Sequence, residues 1–104
     1  MRELHVDIET FSRVSLTKCG VHKYVECPEF QLMLFQWSED DGPVQEVSPH
    51  LGEYPPPHVL GALIDPKVLK TGWNIAFERT CLAKWLTRPM PAEQWECTMV
   101  LAAT

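Results

Sequence analysis

Glu3-Leu4-His5-Val6-Asp7-Ile8-Glu9-Thr10 decides how the rest of the chain is read. Leu4, Val6 and Ile8 alternate with His5, Asp7 and Glu9, a period of two that belongs to a β-strand rather than a helix. Side chains two residues apart on a strand share a face, about 6–7 Å apart. Asp7 and Glu9 therefore stand side by side at the strand's end, with an aliphatic row behind them. Two adjacent carboxylates repel, so they share either a proton or cations. An all-oxygen pair suits a hard divalent ion, Mg²⁺ or Mn²⁺. Taken alone, the stretch is better satisfied by acids that simply reach solvent.

Around this strand lies a chain of 104 residues, the size of one small domain or a piece of one. With 45% hydrophobic residues and four Trp it has material for a core, which excludes wholesale disorder. No apolar run reaches the length of a membrane span and no charged-then-apolar leader opens the chain, so a cytoplasmic protein is expected. Cys19, Cys27, Cys81 and Cys97 are too widely spaced for a zinc site of the CxxC kind, and reduced thiols are expected. A net charge of −5 argues against holding a nucleic-acid backbone by charge alone, although an enzyme whose metal ions screen the contact remains open. The charge is uneven. Glu39, Asp40, Asp41, Glu46 and Glu53 form an acidic stretch, whereas Lys67, Lys70, Arg79, Lys84 and Arg88 gather later, either as a mildly basic surface or as a solvated helix face.

Phe11 to Pro28 reads as irregular, with Gly20 and Pro28 as breakers. Its Arg13, Lys18, His22 and Lys23, with Phe11 and Tyr24, could touch a substrate or form an ordinary surface loop. Phe30 to Trp37 is a near-continuous apolar run, expected to be a strand covered on both faces. Asp40-Asp41-Gly42 turns the chain back as a hairpin into Val44–Val47. Three prolines, Pro55 to Pro57, suit a helix's first turn; Val59, Leu60, Leu63 and Ile64 follow at helical spacing, and Asp65-Pro66 stops the helix. Val68–Thr71 is a short strand ended by Gly72, and Asn74 is placed to cap the next helix through its side chain.

That helix, Ile75 to Leu86, carries the second feature. On a helical wheel with Phe77 at 0°, Cys81, Trp85, Leu82 and Leu86 span an apolar arc from about 40° to about 180°. Glu78 falls at about 100°, in the middle of that arc. A carboxylate there is costly unless a cation or hydrogen bonds compensate it, or unless it snorkels to the surface. Beyond the breaker Pro89-Met90-Pro91, Trp95–Met99 reads as a short strand and Val100–Thr104 as a helix barely begun.

The order strand, strand, strand, helix, strand, helix, with an acidic pair on the first strand, resembles the ribonuclease H-like α/β fold. It pairs three antiparallel strands with a helix–strand–helix unit in a mixed sheet, here cut short at its C-terminus. Asp7-Ile8-Glu9-Thr10 is similar to the first motif of the DEDD (DnaQ-like) 3′–5′ exonucleases, D-x-E-T, and Asn74-Ile75-Ala76-Phe77-Glu78 to the second, N-x-x-(F/Y)-D. Gly20–Glu26 and Ala76–Leu82 resemble most the N-terminal exonuclease domain of phage-type family A DNA polymerases. The resemblance implies a proofreading exonuclease in which two Mg²⁺ or Mn²⁺ ions drive hydrolysis of the terminal phosphodiester of a DNA 3′ end. It implies Asp7, Glu9 and Glu78 as catalytic metal ligands, with Asp7 bridging both ions. Thr10, Phe11, Asn74 and Phe77 would contact the substrate.

Three departures stand out. Glu78 is one methylene longer than the usual Asp, Trp73 stands where related sequences carry His, and the third motif, a Tyr or His base with a last Asp, has no counterpart within residues 1–104. The 104 residues are therefore expected to be the front of one exonuclease domain, attached to a polymerase domain in a longer chain and cleaving DNA poorly alone. An exposed apolar face over parts of Phe30–Trp37 and the first strand is also expected, with self-association through it. Two alternatives are a non-catalytic module of the same fold that binds DNA ends or a polymerase partner, and a structural domain whose acids are merely exposed.

Overall fold

The computed structural model describes residues 1–13 and 16–97. Strand β1 (Glu3–Phe11) lies at the centre of a five-stranded sheet. Helix α1 (Leu16–Glu26) follows, then β2 (Gln31–Glu39), β3 (Gln45–Val47), α2 (Pro57–Ile64), β4 (Leu69–Gly72), α3 (Ile75–Leu86) and β5 (Trp95–Cys97). The spatial order is β3-β2-β1-β4-β5. β2 runs antiparallel to β1 and β3 on either side of it, and β4 and β5 run parallel to β1. The expected three-strand meander followed by helix, strand, helix is present. The expected strand Trp95–Met99 is seen as Trp95–Cys97, and the helix start expected at Val100–Thr104 lies outside the described residues.

β3 is parallel to β4, so the connections β3-α2-β4 and β4-α3-β5 are both parallel crossovers, and both move the same way across the sheet. Right-handed crossovers of that kind place their helices on one face. Leu4, Val6 and Ile8 of β1, Phe35 and Trp37 of β2 and Trp95 of β5 point to that face, and all are buried. Val25 of α1, Val59, Ala62 and Leu63 of α2 and Cys81 and Leu82 of α3 complete the same cluster.

The opposite face presents Glu3, His5, Asp7 and Glu9 beside Leu34, Gln36 and Ser38 of β2 and Leu69 and Thr71 of β4. This corrects two expectations. The apolar run of β2 is not covered on both faces: Phe35 and Trp37 are buried, whereas Leu34 and Gln36 are half-buried on the open side. Nor do β1 and β2 leave an apolar face exposed as a surface for self-association, since the open face is mostly polar and Leu4, Val6, Ile8, Leu32, Phe35 and Trp37 are all buried.

The stretch read as irregular holds α1. Gly20 interrupts it at φ 79° and ψ 166°, a conformation that essentially only glycine adopts. Val25 is its one buried residue, so no apolar stripe marked it as a helix. Tyr24 anchors it, with its ring 6.0 Å from Phe77 of α3 and 5.9 Å from Phe30. Lys70, counted above with a basic surface, is fully buried; its Nζ donates to the Asp65 carbonyl at 2.8 Å and to Gln94 Oε1 at 3.0 Å. Burial lowers its pKa, which the nearby Asp65 charge partly offsets. None of the four cysteines forms a disulfide, and burial pushes the Cys81 thiol up to about 12. Among the described residues no helix is long and apolar enough to cross a membrane.

Candidate functional site

The carboxyl ends of parallel strands are where open α/β sheets place their ligands. In β1 the side-chain alternation sends Asp7 and Glu9 to the open face, where both are exposed. The β1–β4 ladder ends at the pair His5 and Thr71, whose Nδ1 and Oγ1 lie 2.6 Å apart. Beyond that pair β4 turns away through Gly72, Trp73 and Asn74 into α3, leaving Asp7 past the end of the ladder. On the other side, β1 and β2 shift register between Glu9 and Thr10. Such an irregularity strengthens local twist and re-aims the side chains beside it.

Glu78 sits in the first turn of α3 and is 4% exposed. The apolar arc read from the sequence is thus a buried face with a carboxylate in it. Burial, then the negative charge of Asp7, pushes the Glu78 pKa up to about 7, while hydrogen bonding from the backbone of Asn74 and Trp73 pulls it down. Its Oε2 is buried without a hydrogen-bond partner. A Cβ on Gly72 would collide with this carboxylate, overlapping Oε2 and lying 2.6 Å from Cδ. Gly72 is therefore the cradle that lets Glu78 approach the end of β4. Asn74 occupies the N-cap position of α3 but makes no side-chain capping bond, at φ −132° and ψ 85°, contrary to expectation. Its carbonyl instead accepts the Glu78 amide at 3.1 Å.

Glu78 thus feels the charge of Asp7. Glu9 is exposed on the same strand face as Asp7. Among the described residues no three His, Cys, Asp or Glu side chains are grouped tightly enough to hold an ion by themselves. What the residues offer is a half-built site: an orphaned buried carboxylate oxygen, a glycine cradle and a second carboxylate whose charge disfavours ionisation of the first. A divalent cation between the two acids would relieve both the orphaned oxygen and the repulsion, and the cradle leaves the carboxylate room to reach it, so the residues fit one.

The expected substrate contacts divide. Phe11 is exposed, and Asn74 is exposed at the mouth of α3. Thr10 and Phe77 are tied to the scaffold through Tyr24, whose hydroxyl lies 2.8 Å from Thr10 Oγ1 and whose ring packs on Phe77. Two open grooves flank Asp7. One, of about 430 Å³, is lined by His5, Val6, Asp7, Thr71, Gly72 and Trp73; the other, of about 210 Å³, runs toward Gln36, Ser38 and Val44. The sequence did not announce Gly72 as the seat of Glu78 or the His5–Thr71 pair, and Tyr24, expected as a substrate contact or plain loop residue, is an anchor between β1 and α3. Only Gly72 had a local signal, as the residue that ends β4.

The chain is 46% identical, over its whole length, to a DNA polymerase of Bacillus phage SP02. The chain is thus related to a phage DNA polymerase. It spans 16% of that relative's length. Two solved structures share the architecture: one described as the apo form of a nuclease (TM-score 0.67, 20% identity, 98% of this chain and 42% of that one), the other Brucella melitensis NrnC (TM-score 0.64, 22% identity, 97% and 43%). No family model matches the chain. The fold is ribonuclease H-like, and the resemblance to a phage-type DNA polymerase is borne out.

Proposed function

We propose that this chain is part of a 3′–5′ exonuclease domain of a DNA polymerase, acting on an unpaired DNA 3′ end. The observation that carries the reading is Glu78, a buried carboxylate with an unpartnered oxygen that feels the charge of Asp7 across the end of β4. The relationship to a phage polymerase and the nuclease fold support it.

In this reading Asp7, Glu9 and Glu78 hold Mg²⁺ or Mn²⁺. Divalent ions bound there supply an activated water and stabilise the charge of the leaving 3′ oxygen. The chain's own residues do the rest. Asp7, exposed past the ladder, faces the substrate groove. Gly72 keeps the Glu78 carboxylate seated at the end of β4. Tyr24 locks Thr10 and Phe77, fixing the end of β1 against α3. Phe11 and Asn74 stay exposed for contact with the terminal nucleotide.

A second reading, a non-catalytic module that binds DNA ends or a polymerase partner, draws on the absence of a three-ligand cluster among the described residues. One assay separates the two. Single-stranded DNA labelled at its 5′ end is incubated with the purified chain and Mn²⁺. Stepwise shortening that disappears in Asp7→Asn is expected, slow because the third motif is missing from residues 1–104. Retardation of the DNA with no shortening, even at enzyme excess, would favour the binding module.

A further inference from the structure

Trp73 is 59% exposed, an unusual state for the largest apolar side chain. Its backbone is nonetheless fixed. It follows Gly72, whose position is set by Glu78, and its carbonyl accepts a hydrogen bond from Cys97 Sγ at 2.9 Å. A pinned main chain thus carries an uncovered indole at the rim of the 430 Å³ groove that contains Asp7.

The lining of that groove limits what it can attract. His5, Val6, Asp7, Thr71, Gly72 and Trp73 include no Lys or Arg, and the whole chain carries a net charge of −5. Attraction of phosphates by basic side chains, the usual source of affinity for nucleic acid, is therefore not built into this groove. Among the described lining residues the large open surface that suits a nucleotide is the indole's π-face, and stacking of an unpaired base on an aromatic ring needs no basic charge and tolerates any base. An indole on a fixed backbone also orders few degrees of freedom when it is covered.

We infer that Trp73 is a substrate-positioning residue, on which the base of an unpaired 3′-terminal nucleotide stacks so that its phosphodiester is presented to Asp7. This rests on the exonuclease reading above. It assigns the groove one occupant, a nucleobase, and a division of labour in which stacking holds the base while the acids and their cations meet the phosphate.

The test measures binding of fluorescein-labelled oligothymidylate by anisotropy. Ca²⁺ replaces Mg²⁺ so that the ends survive, and a matched oligonucleotide lacks only its 3′-terminal base. The wild-type chain should prefer the intact end. Trp73→Ala should weaken binding to that end about 5- to 100-fold. It should bind the abasic end as the wild type does, and Trp73→Phe should retain most of the affinity. Because stacking is not ionic, the ratio of wild type to Trp73→Ala should hold between low and moderate salt. As a readout free of Trp73→Ala folding, wild-type indole fluorescence should be quenched on binding and Trp73→Phe should lose that quenching. Equal affinity of wild type and Trp73→Ala, an equal loss on the abasic end, no quenching, or no binding by the wild type would overturn the inference. Asp7→Asn run in parallel reports on the exonuclease reading separately: it should abolish cleavage in Mn²⁺ while keeping the dependence on the terminal base.

Discussion

Glu78 concentrates the physics of the site. Its pKa is raised from 4.5 to about 7, so the folded state holds its proton more tightly than the unfolded chain does. An acid shifted upward destabilises the fold when it is ionised. The cost is absent below about pH 4.5 and grows as pH rises toward 7, reaching about 3 kcal/mol for a shift of this size. Urea unfolding of wild type and Glu78→Gln across this range should therefore give a difference that moves in favour of the Gln variant by a few kcal/mol. A constant difference would show that Glu78 titrates normally. Added Mg²⁺ should restore wild-type stability at neutral pH and leave Glu78→Gln unchanged, because a cation stabilises only the ionised acid. Gly72→Ala is the complementary change. Its Cβ would overlap the carboxylate, and displacing it should cost about 1–3 kcal/mol. That loss should largely vanish when Glu78 is first replaced by Ala, which a double-mutant cycle measures. Much of this was legible at the level of single residues. The period-two row exposed Asp7 and Glu9, and the helical arc exposed Glu78 as a misplaced acid. Gly72 was not legible as a cradle, because its partner lies six positions away and meets it only once β4 turns into α3.

At the level of elements, the strands and the two longer-range helices followed their patterns. Alternation gave β1, the Asp40–Gly42 turn gave the β2–β3 hairpin, and prolines and aliphatic spacing gave α2. The miss was α1, where one buried residue leaves no amphipathic stripe and Gly20 looks like a loop breaker. Both readings of Gly20 hold, since it does break the helix, but Tyr24 recovers the second half by packing on Phe30 and Phe77. Gly20→Ala should accordingly destabilise by about 1–3 kcal/mol, because φ 79° with ψ 166° strains any residue with a Cβ. Chemical denaturation checks this; an unchanged midpoint would mean that α1 can straighten without disturbing Tyr24. Lys70 illustrates a second limit of sequence. Composition groups it with the surface charges, and only the pairing of β4 between β1 and β5, with Asp65 and Gln94 taking its amine, buries it.

For the whole molecule, the sheet has one face sealed by helices and one polar face bearing His5, Asp7 and Glu9. Asp7 and Glu9 stand on the open face of β1, and the buried Glu78 of α3 feels the charge of Asp7 at the carboxyl end of the parallel strands. The core that fixes this arrangement includes Phe35, fully buried between Trp37 and Trp85 at ring distances of 5.6 and 5.9 Å. Phe35→Ala should cost about 3–5 kcal/mol in urea unfolding, with the largest loss of near-ultraviolet circular dichroism among core variants. The central claim is that the β1 and α3 acids serve one divalent ion, and calorimetric titration of Mn²⁺ into the wild type, Asp7→Asn and Glu78→Gln tests it most directly. The wild type should bind Mn²⁺, with proton release near pH 6.5 as Glu78 ionises, and both variants should lose or greatly weaken that binding. Mn²⁺ binding that persists unchanged in either variant, or a wild type that takes up none at millimolar concentration, would contradict that claim.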